Sequence, residues 1–268
     1  MSSVPAVEVR DVNFGYHTGS DIFCGFTWIV GSREWWAVVG PSGCGKTTLL
    51  HLLAGLRQPS RGQLLVQGEP VCRPRSSTGL ILQDFGLLPW ARAAENVELG
   101  LRIRGIRPAE RRERVDYWLH HLGIYDLRNH YPSQLSGGQR QRVAIARTIA
   151  LDPDLLLMDE PFGSLDAFTR EGLQNLVASL GEERERTSII VTHDIEEAVF
   201  LGTHILVLTG HPIRHGLVVA NPGARQPGYR EDPQFFHLVR EVRLLVQRTQ
   251  ATAFSEGTAE TLRTGGAS

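Results

Sequence analysis

An α/β fold with a largely parallel sheet, an antiparallel β subdomain ahead of it and an α-helical subdomain inserted within it is predicted by three features of this sequence. Five short runs, residues 35–39, 79–82, 155–158, 188–191 and 205–208, are apolar without alternation, as strands covered on both faces are. Helical patterns fall between several of them, as crossovers between parallel strands require. The first thirty or so residues alternate in part and carry turn glycines instead, the mark of antiparallel hairpins.

The elements follow in order. Val7, Val9 and Val12, then Phe23, Phe26, Trp28 and Val30, are punctuated by Gly15, Gly19 and Gly31 and make the hairpin strands. Residues 35–39 are a buried strand; glycines follow, then Leu49, Leu50, Leu52 and Leu53 at helical spacing with Gly55 as C-terminal cap. A turn-rich stretch, 67–78, leads to the strand at 79–82 and a helical middle. There Pro108 is a first-turn residue, Val115, Trp118, Leu119 and Leu122 recur at helical spacing, and Gly123 closes the helix. Arg111, Arg112, Glu113 and Arg114 are its solvated face. A helix from Asp166 to Leu180 joins the strands at 155–158 and 188–191, and the strand at 205–208 is expected to be the last. Beyond Pro222 a helical stripe remains, Phe235, Leu238, Val239, Val242, Leu245 and Val246, and the final 18 residues are polar, small and expected to fray.

Composition sets bounds on function. The chain has 268 residues with 41% hydrophobic and 21% charged, ordinary globular usage that excludes a mainly disordered or collagen-like protein. A net charge of −1 supplies no global basic field for nucleic acid or anionic lipid. Of the 28 basic residues 27 are arginine, and the single lysine is Lys46. Cys24, Cys44 and Cys72 lie far apart, so neither a disulfide framework nor a zinc site is expected, and a reducing cytosol fits. Glu8, Arg10 and Asp11 interrupt any signal-peptide core. No run of about 20 apolar residues occurs, so the protein is expected to be soluble or peripheral, with any membrane pore in another chain.

Three motifs carry chemistry. Gly40-Pro41-Ser42-Gly43-Cys44-Gly45-Lys46-Thr47, followed by Thr48, matches G-x-x-x-x-G-K-[ST] between a buried strand and a helix. Glycines let backbone N–H groups converge on phosphate oxygens, and the helix N-terminus adds positive potential. Lys46 would reach the β- and γ-phosphates of ATP and the Thr47 hydroxyl would bind Mg2+. The lone lysine is thereby explained, because a slim ammonium enters such a loop where a planar guanidinium fits poorly. Asp159 and Glu160 end the apolar run at 155–158, the sheet edge where ligands bind. Asp159 would hold the metal and Glu160 would polarise a water. Ser136 and Gln139 have capping-box spacing, a structural role. Gly137 and Gly138 between them cost helix stability and bare the backbone, which suits a second phosphate-binding helix terminus.

Leu135-Ser136-Gly137-Gly138-Gln139 between the Gly-rich loop and the Asp-Glu strand resembles the signature of ATP-binding cassette (ABC) ATPases. The resemblance covers about residues 6–220, with an inserted helical subdomain at about 87–150 and a C-terminal helix and tail at 221–268. It implies a P-loop NTPase (RecA-like) core. By match to that family, Gln83 falls at the Q-loop and is a third metal ligand, Ser164-Leu165-Asp166 at the D-loop, His193 at the switch histidine, and Tyr16 at the aromatic that stacks on adenine. Tyr16 taken alone also fits an ordinary strand aromatic. The family pattern pairs two cassettes head to tail, this chain with a second copy of itself or with a close relative, each ATP lying between Lys46 of one and Ser136 of the other.

Departures are few. Arg33-Glu34 stands where Gly-Glu is usual and Trp35-Trp36 is bulky, both at positions that do not touch phosphate. Cys44 replaces a commoner small residue and, beside Lys46 at a helix start, is expected to ionise readily. Leu87-Leu88-Pro89-Trp90, read with Pro161-Phe-Gly-Ser-Leu-Asp166-Ala-Phe-Thr-Arg170, looks most like the nitrate/sulfonate/taurine importer branch. That implies permease subunits, an extracytoplasmic solute-binding protein, a place on the cytoplasmic face of the membrane and no nucleic acid. Leu87 to Trp90 reads either as a docking patch or as core. Alternatives are a soluble ABC ATPase acting on nucleic acid, or the cassette of an exporter or cell-division complex.

Overall fold

The computed structural model describes residues 4–264 except Thr18, Ser20, Ser164 and Glu185. Two compact units divide it: residues up to Pro74 together with those from Val191 onward, and Arg75–Ile190.

The first unit opens with β1 (Val7–Gly15) and β2 (Asp21–Val30), then β3 (Trp35–Val39), α1 (Lys46–Leu53), β4 (Arg61–Val66) and the two-residue β5 (Glu69–Pro70). One antiparallel sheet has the order β2-β1-β4-β5. Its register sets Val9 opposite Trp28 on one side and Leu64 on the other, so the residues expected to be apolar partners share one buried face. All five residues of β3 are buried. The glycine expected to end α1, Gly55, follows the cap residue Ala54 in a left-handed conformation, φ +72°. Its Cβ position lies 2.5 Å from the Arg73 backbone, so a side chain there would clash as well as strain.

The second unit holds β6 (Thr78–Ile81), α2 (Ala93–Ile103), α3 (Pro108–His121), α4 (Gly137–Ile149), β7 (Leu155–Asp159), α5 (Ala167–Arg184) and β8 (Thr187–Val191). These strands run in the order β8-β7-β6, with β6 and β7 parallel and Gly79 opposite Leu156. Three helices lie between β6 and β7 in the chain, and α4 packs against α2, α3, α5 and β6. Pro108 starts α3 as expected, and Val115, Trp118 and Leu119 are buried.

The chain then returns to the first unit with α6 (Ile195–Leu201), β9 (His204–Leu208), β10 (Gly216–Ala220) and α7 (Pro233–Thr264). β3 and β9 are parallel, Ala37 opposite Ile205. The strand at 205–208 is not the last: β10 pairs antiparallel with β9, Val218 opposite Leu206. It is an edge strand with Leu217 and Val218 exposed, so burial did not mark it. In α7 the stripe from Phe235 to Val246 is the covered face, and the helix continues to Thr264 through the stretch expected to fray. No helix among the described residues is long and apolar enough to cross a membrane.

Candidate functional site

In the first unit the Gly-rich loop joins β3 to α1. Gly45, directly ahead of Lys46, has φ +105°, and a Cβ there would lie 2.5 Å from Ile22 Cγ2. Only glycine satisfies both demands. The first turn of α1 carries no acid and no side-chain cap, so its N–H groups remain directed at whatever anion lies in the loop. Lys46 is buried, and its Nζ donates to the carbonyls of Gly40 at 2.9 Å and Pro41 at 2.8 Å. Thr47 faces solvent, whereas Thr48 is buried with Oγ1 3.2 Å from the Tyr16 hydroxyl. The predicted adenine platform thus lies within hydrogen-bond reach of the helix that the loop opens. Tyr16 is 47% exposed, braced edge-on by Phe14 at 5.2 Å, with the Arg57 guanidinium over its ring at 5.6 Å. Nothing in the sequence pointed to Arg57.

Cys44 reverses its expectation. Burial pushes its thiol above the ordinary value, and the opposing effects of Lys46 and of hydrogen bonds from the backbone are smaller. Desolvation in a packed loop outweighs one nearby charge.

Arg33 occupies the left-handed region, φ +66°, the conformation that makes glycine usual at this position. Glu34 closes the turn that contains Arg33, its carboxylate accepting from the Gly31 N–H and from Trp36 Nε1, each at 2.7 Å. Trp36 meets Trp28 edge-on at 5.2 Å and stacks on His204 at 4.8 Å. The bulky pair is core. His193 is exposed between β8 and α6, just before Asp194, which caps α6 by accepting from the N–H groups of Glu196 at 2.9 Å and Glu197 at 3.2 Å.

In the second unit Asp159 is the buried last residue of β7, and Glu160 follows with φ +43°. A non-glycine residue in that region stores strain of about 1–3 kcal/mol, which surrounding contacts must hold. One such contact is from Gln83 Nε2, which donates to Glu160 Oε2 at 3.3 Å. Two predicted site residues 77 positions apart therefore meet. Beyond Gln83, Phe85 and Gly86 both have positive φ, and Arg147 of α4 donates to their carbonyls at 2.8 and 2.7 Å. Burial lowers the Arg147 guanidinium from its ordinary value, offset in part by Asp84. Asn96, fully buried in α2, accepts from the Leu88 N–H at 2.8 Å and donates to the carbonyls of Leu88, Ala91 and Arg92 at 2.9–3.2 Å. The loop so held presents Trp90, 73% exposed, above half-buried Leu87 and Leu88. The patch is surface rather than core. Neither Asn96 nor Arg147 was found from sequence.

Ser136 caps α4 in a reciprocal box: the Gln139 N–H donates to Ser136 Oγ at 3.3 Å and the Ser136 N–H to Gln139 Oε1 at 2.9 Å. Gly138 has a packing reason of its own, since a Cβ there would lie 2.4 Å from Thr169 Cγ2 of α5. Gly137 precedes it in the first turn of α4. Asp166 caps α5, accepting from the Thr169 N–H at 3.0 Å. Hydrogen bonds from Thr169 hold its carboxyl below the usual range. Ser164 lies outside the described residues.

Within the first unit the structure brings Tyr16, Thr48 and the 40–47 loop together. Within the second it joins Gln83 to Glu160 and the Ser136 cap to the turn after Asp166. Each unit carries a hard oxygen donor of the kind Mg2+ accepts, the Thr47 hydroxyl in the first and the Asp159 carboxylate in the second.

Comparison with known proteins agrees with this geometry. Residues 25–163 match the ABC transporter family. The chain is 46% identical over 183 residues to the taurine import ATP-binding protein of Yersinia pestis, covering 68% of this chain and 72% of that one. It is 45% identical over 182 residues to an uncharacterized ABC transporter ATP-binding protein of Methanocaldococcus jannaschii, 68% of each. Among solved structures, a dimeric ATP-binding cassette in a post-hydrolysis state with ADP and phosphate superposes with TM-score 0.71 at 32% identity, covering 80% of this chain and 98% of that one. A subunit of an ABC transporter complex of Clostridium perfringens gives TM-score 0.73 at 27% identity over 91% and 96%. With the family match spanning residues 25–163 and a relative 46% identical over 68% of this chain, the chain belongs to the ABC transporter family as an ATP-binding, ATP-hydrolysing cassette.

Proposed function

We propose that the chain energises an importer of a small anion-bearing solute of the nitrate, sulfonate or taurine kind, working as a dimer on the cytoplasmic face of the membrane. Permease subunits and an extracytoplasmic solute-binding protein complete the machine. The observation that carries this reading is the loop after Gln83, pinned by Asn96 and Arg147 so that Trp90 stands in solvent. An exposed indole on a fixed backbone, in the same loop as a nucleotide-sensing residue, suits a cytoplasmic helix of a permease.

Each residue has a role in this reading. Tyr16 stacks on adenine. Backbone N–H groups from Gly40 to Thr48, through Pro41, Ser42, Gly43, Cys44 and Gly45, cradle the phosphates, and Lys46 leaves its carbonyl partners for the β- and γ-phosphate oxygens. Thr47, Gln83 and Asp159 hold Mg2+, which when bound neutralises charge on the transferring phosphoryl group. Glu160 orients a water and accepts its proton as the water oxygen bonds to the γ-phosphorus and the bond to the ADP oxygen breaks. His193 donates a hydrogen bond to the departing phosphate. Ser136, Gly137, Gly138, Gln139 and Asp166 face the nucleotide of the second copy.

The test is reconstitution in proteoliposomes with the cognate permease and solute-binding protein. Replacing Leu88 and Trp90 with Asp should leave ATP hydrolysis by the free cassette intact while permease association and ATP-driven taurine uptake are lost. Normal co-purification and uptake in that double variant would overturn the reading.

A further inference from the structure

Phe168, in the first turn of α5, is 92% exposed, more than any other large apolar side chain among the described residues. A single exposed hydrophobe needs no partner in itself. Phe168 is distinguished by the backbone beneath it. Two residues before it Asp166 caps the helix through the Thr169 N–H at 3.0 Å. One residue after it Thr169 fills the space that a side chain on Gly138 would need, 2.4 Å from that Cβ position. The first turns of α4 and α5 are therefore in close contact, and Phe168 stands exposed one residue from the threonine that meets Gly138.

We propose that Phe168 is an apolar anchor of the closed dimer, packing on the second copy of this chain. The proposal rests on the head-to-tail reading above, in which a second copy must approach Ser136 and Asp166. A surface that covers the first turns of both helices also covers the exposed ring two residues beyond Asp166. A permease is the weaker occupant, because its docking patch is assigned to Leu87, Leu88 and Trp90, on a different loop. The relation between copies is two-fold, so each dimer buries two such rings. Aromatic side chains at the centre of an interface are the residues that most often dominate its stability.

The experiment uses the full chain carrying Glu160→Gln, so that ATP is bound and not consumed, with sedimentation velocity in Mg-ATP as the readout. Phe168→Ser in that background should raise the dimer dissociation constant about a hundredfold, the scale of two buried aromatic rings. Phe168→Leu should recover most of that loss. Nucleotide affinity of the monomer and thermal stability should stay unchanged in both, since the ring touches neither. An unchanged dimer constant in Phe168→Ser, while Glu160→Gln itself dimerises, overturns the anchor and leaves the head-to-tail reading standing. Absence of any dimer for Glu160→Gln alone overturns both. An unchanged dimer constant with lost permease binding assigns the ring to the permease and also overturns the proposal.

Discussion

Asn96→Ala should be among the most damaging single changes outside the nucleotide site, and its cost follows from counting protons. The Asn96 amide accepts one hydrogen bond, from the Leu88 N–H, and its two N–H groups serve three carbonyls, those of Leu88, Ala91 and Arg92. Three bonds' worth of pairing is therefore lost, at about 1–1.5 kcal/mol each for buried neutral groups. Alanine returns about 0.6 kcal/mol through its better helix propensity. The net destabilisation is about 3 kcal/mol, read by urea unfolding of the full chain. Asn96→Asp sharpens the test: it keeps an acceptor for the Leu88 N–H but sets carboxylate oxygens against carbonyls, so it should be at least as harmful as alanine. Hydrogen exchange should rise in residues 85–92 well before global unfolding. A loss under about 1 kcal/mol, or Asn96→Asp near wild type, would refute the reasoning, because backbone groups that easily satisfied by water do not depend on the amide.

Lys46→Ala should lower ATP hydrolysis about a thousandfold, about 4 kcal/mol of transition-state stabilisation; steady-state phosphate release near the wild-type rate would contradict its role. Arg33→Gly should raise stability by about 0.5–1 kcal/mol, the relief of a left-handed arginine less the added freedom of the unfolded chain, and a lower unfolding midpoint would show that the arginine's own contacts outweigh its strain. Cys44 should be labelled by maleimide more slowly than exposed Cys72 at neutral pH, because a raised thiol pKa means less thiolate there, and its rate should climb only as pH rises above the ordinary thiol range. Peptide mapping with Cys44 labelled first would reverse that conclusion.

What the sequence made legible was whatever depends on periodicity or on residue type at fixed spacing. The continuous runs that became β3, β7, β8 and β9, the Pro108 start of α3 and the Ser136–Gln139 box are all of this kind. Edge strand β10 was not legible, since half-exposed Leu217 and Val218 give it no buried face to detect. Asn96 and Arg147 escaped for a different reason. Their partners are carbonyls of a loop whose path exists only after folding, and carbonyls carry no residue identity. Cys44 was misjudged in sign because a neighbouring lysine is visible in sequence while burial is not. Gly138 was read for its bare N–H; the close approach of Thr169 belongs to the packing of α4 on α5, which no local pattern encodes.

Helix α4 is also a rigid link between two distant features. Its capped end begins at Ser136 and its other end reaches Phe85 and Gly86 through Arg147. At 1.5 Å per residue the two ends are about 16 Å apart, so tilting the rod by about 10° moves the far end about 3 Å. That is enough to break both guanidinium bonds and leave the Trp90 loop held by Asn96 alone. In the importer reading proposed above, displacement of the Ser136 end by a second copy would thus be carried along one rigid helix to the loop proposed to meet the permease, with Arg147 as the link between them.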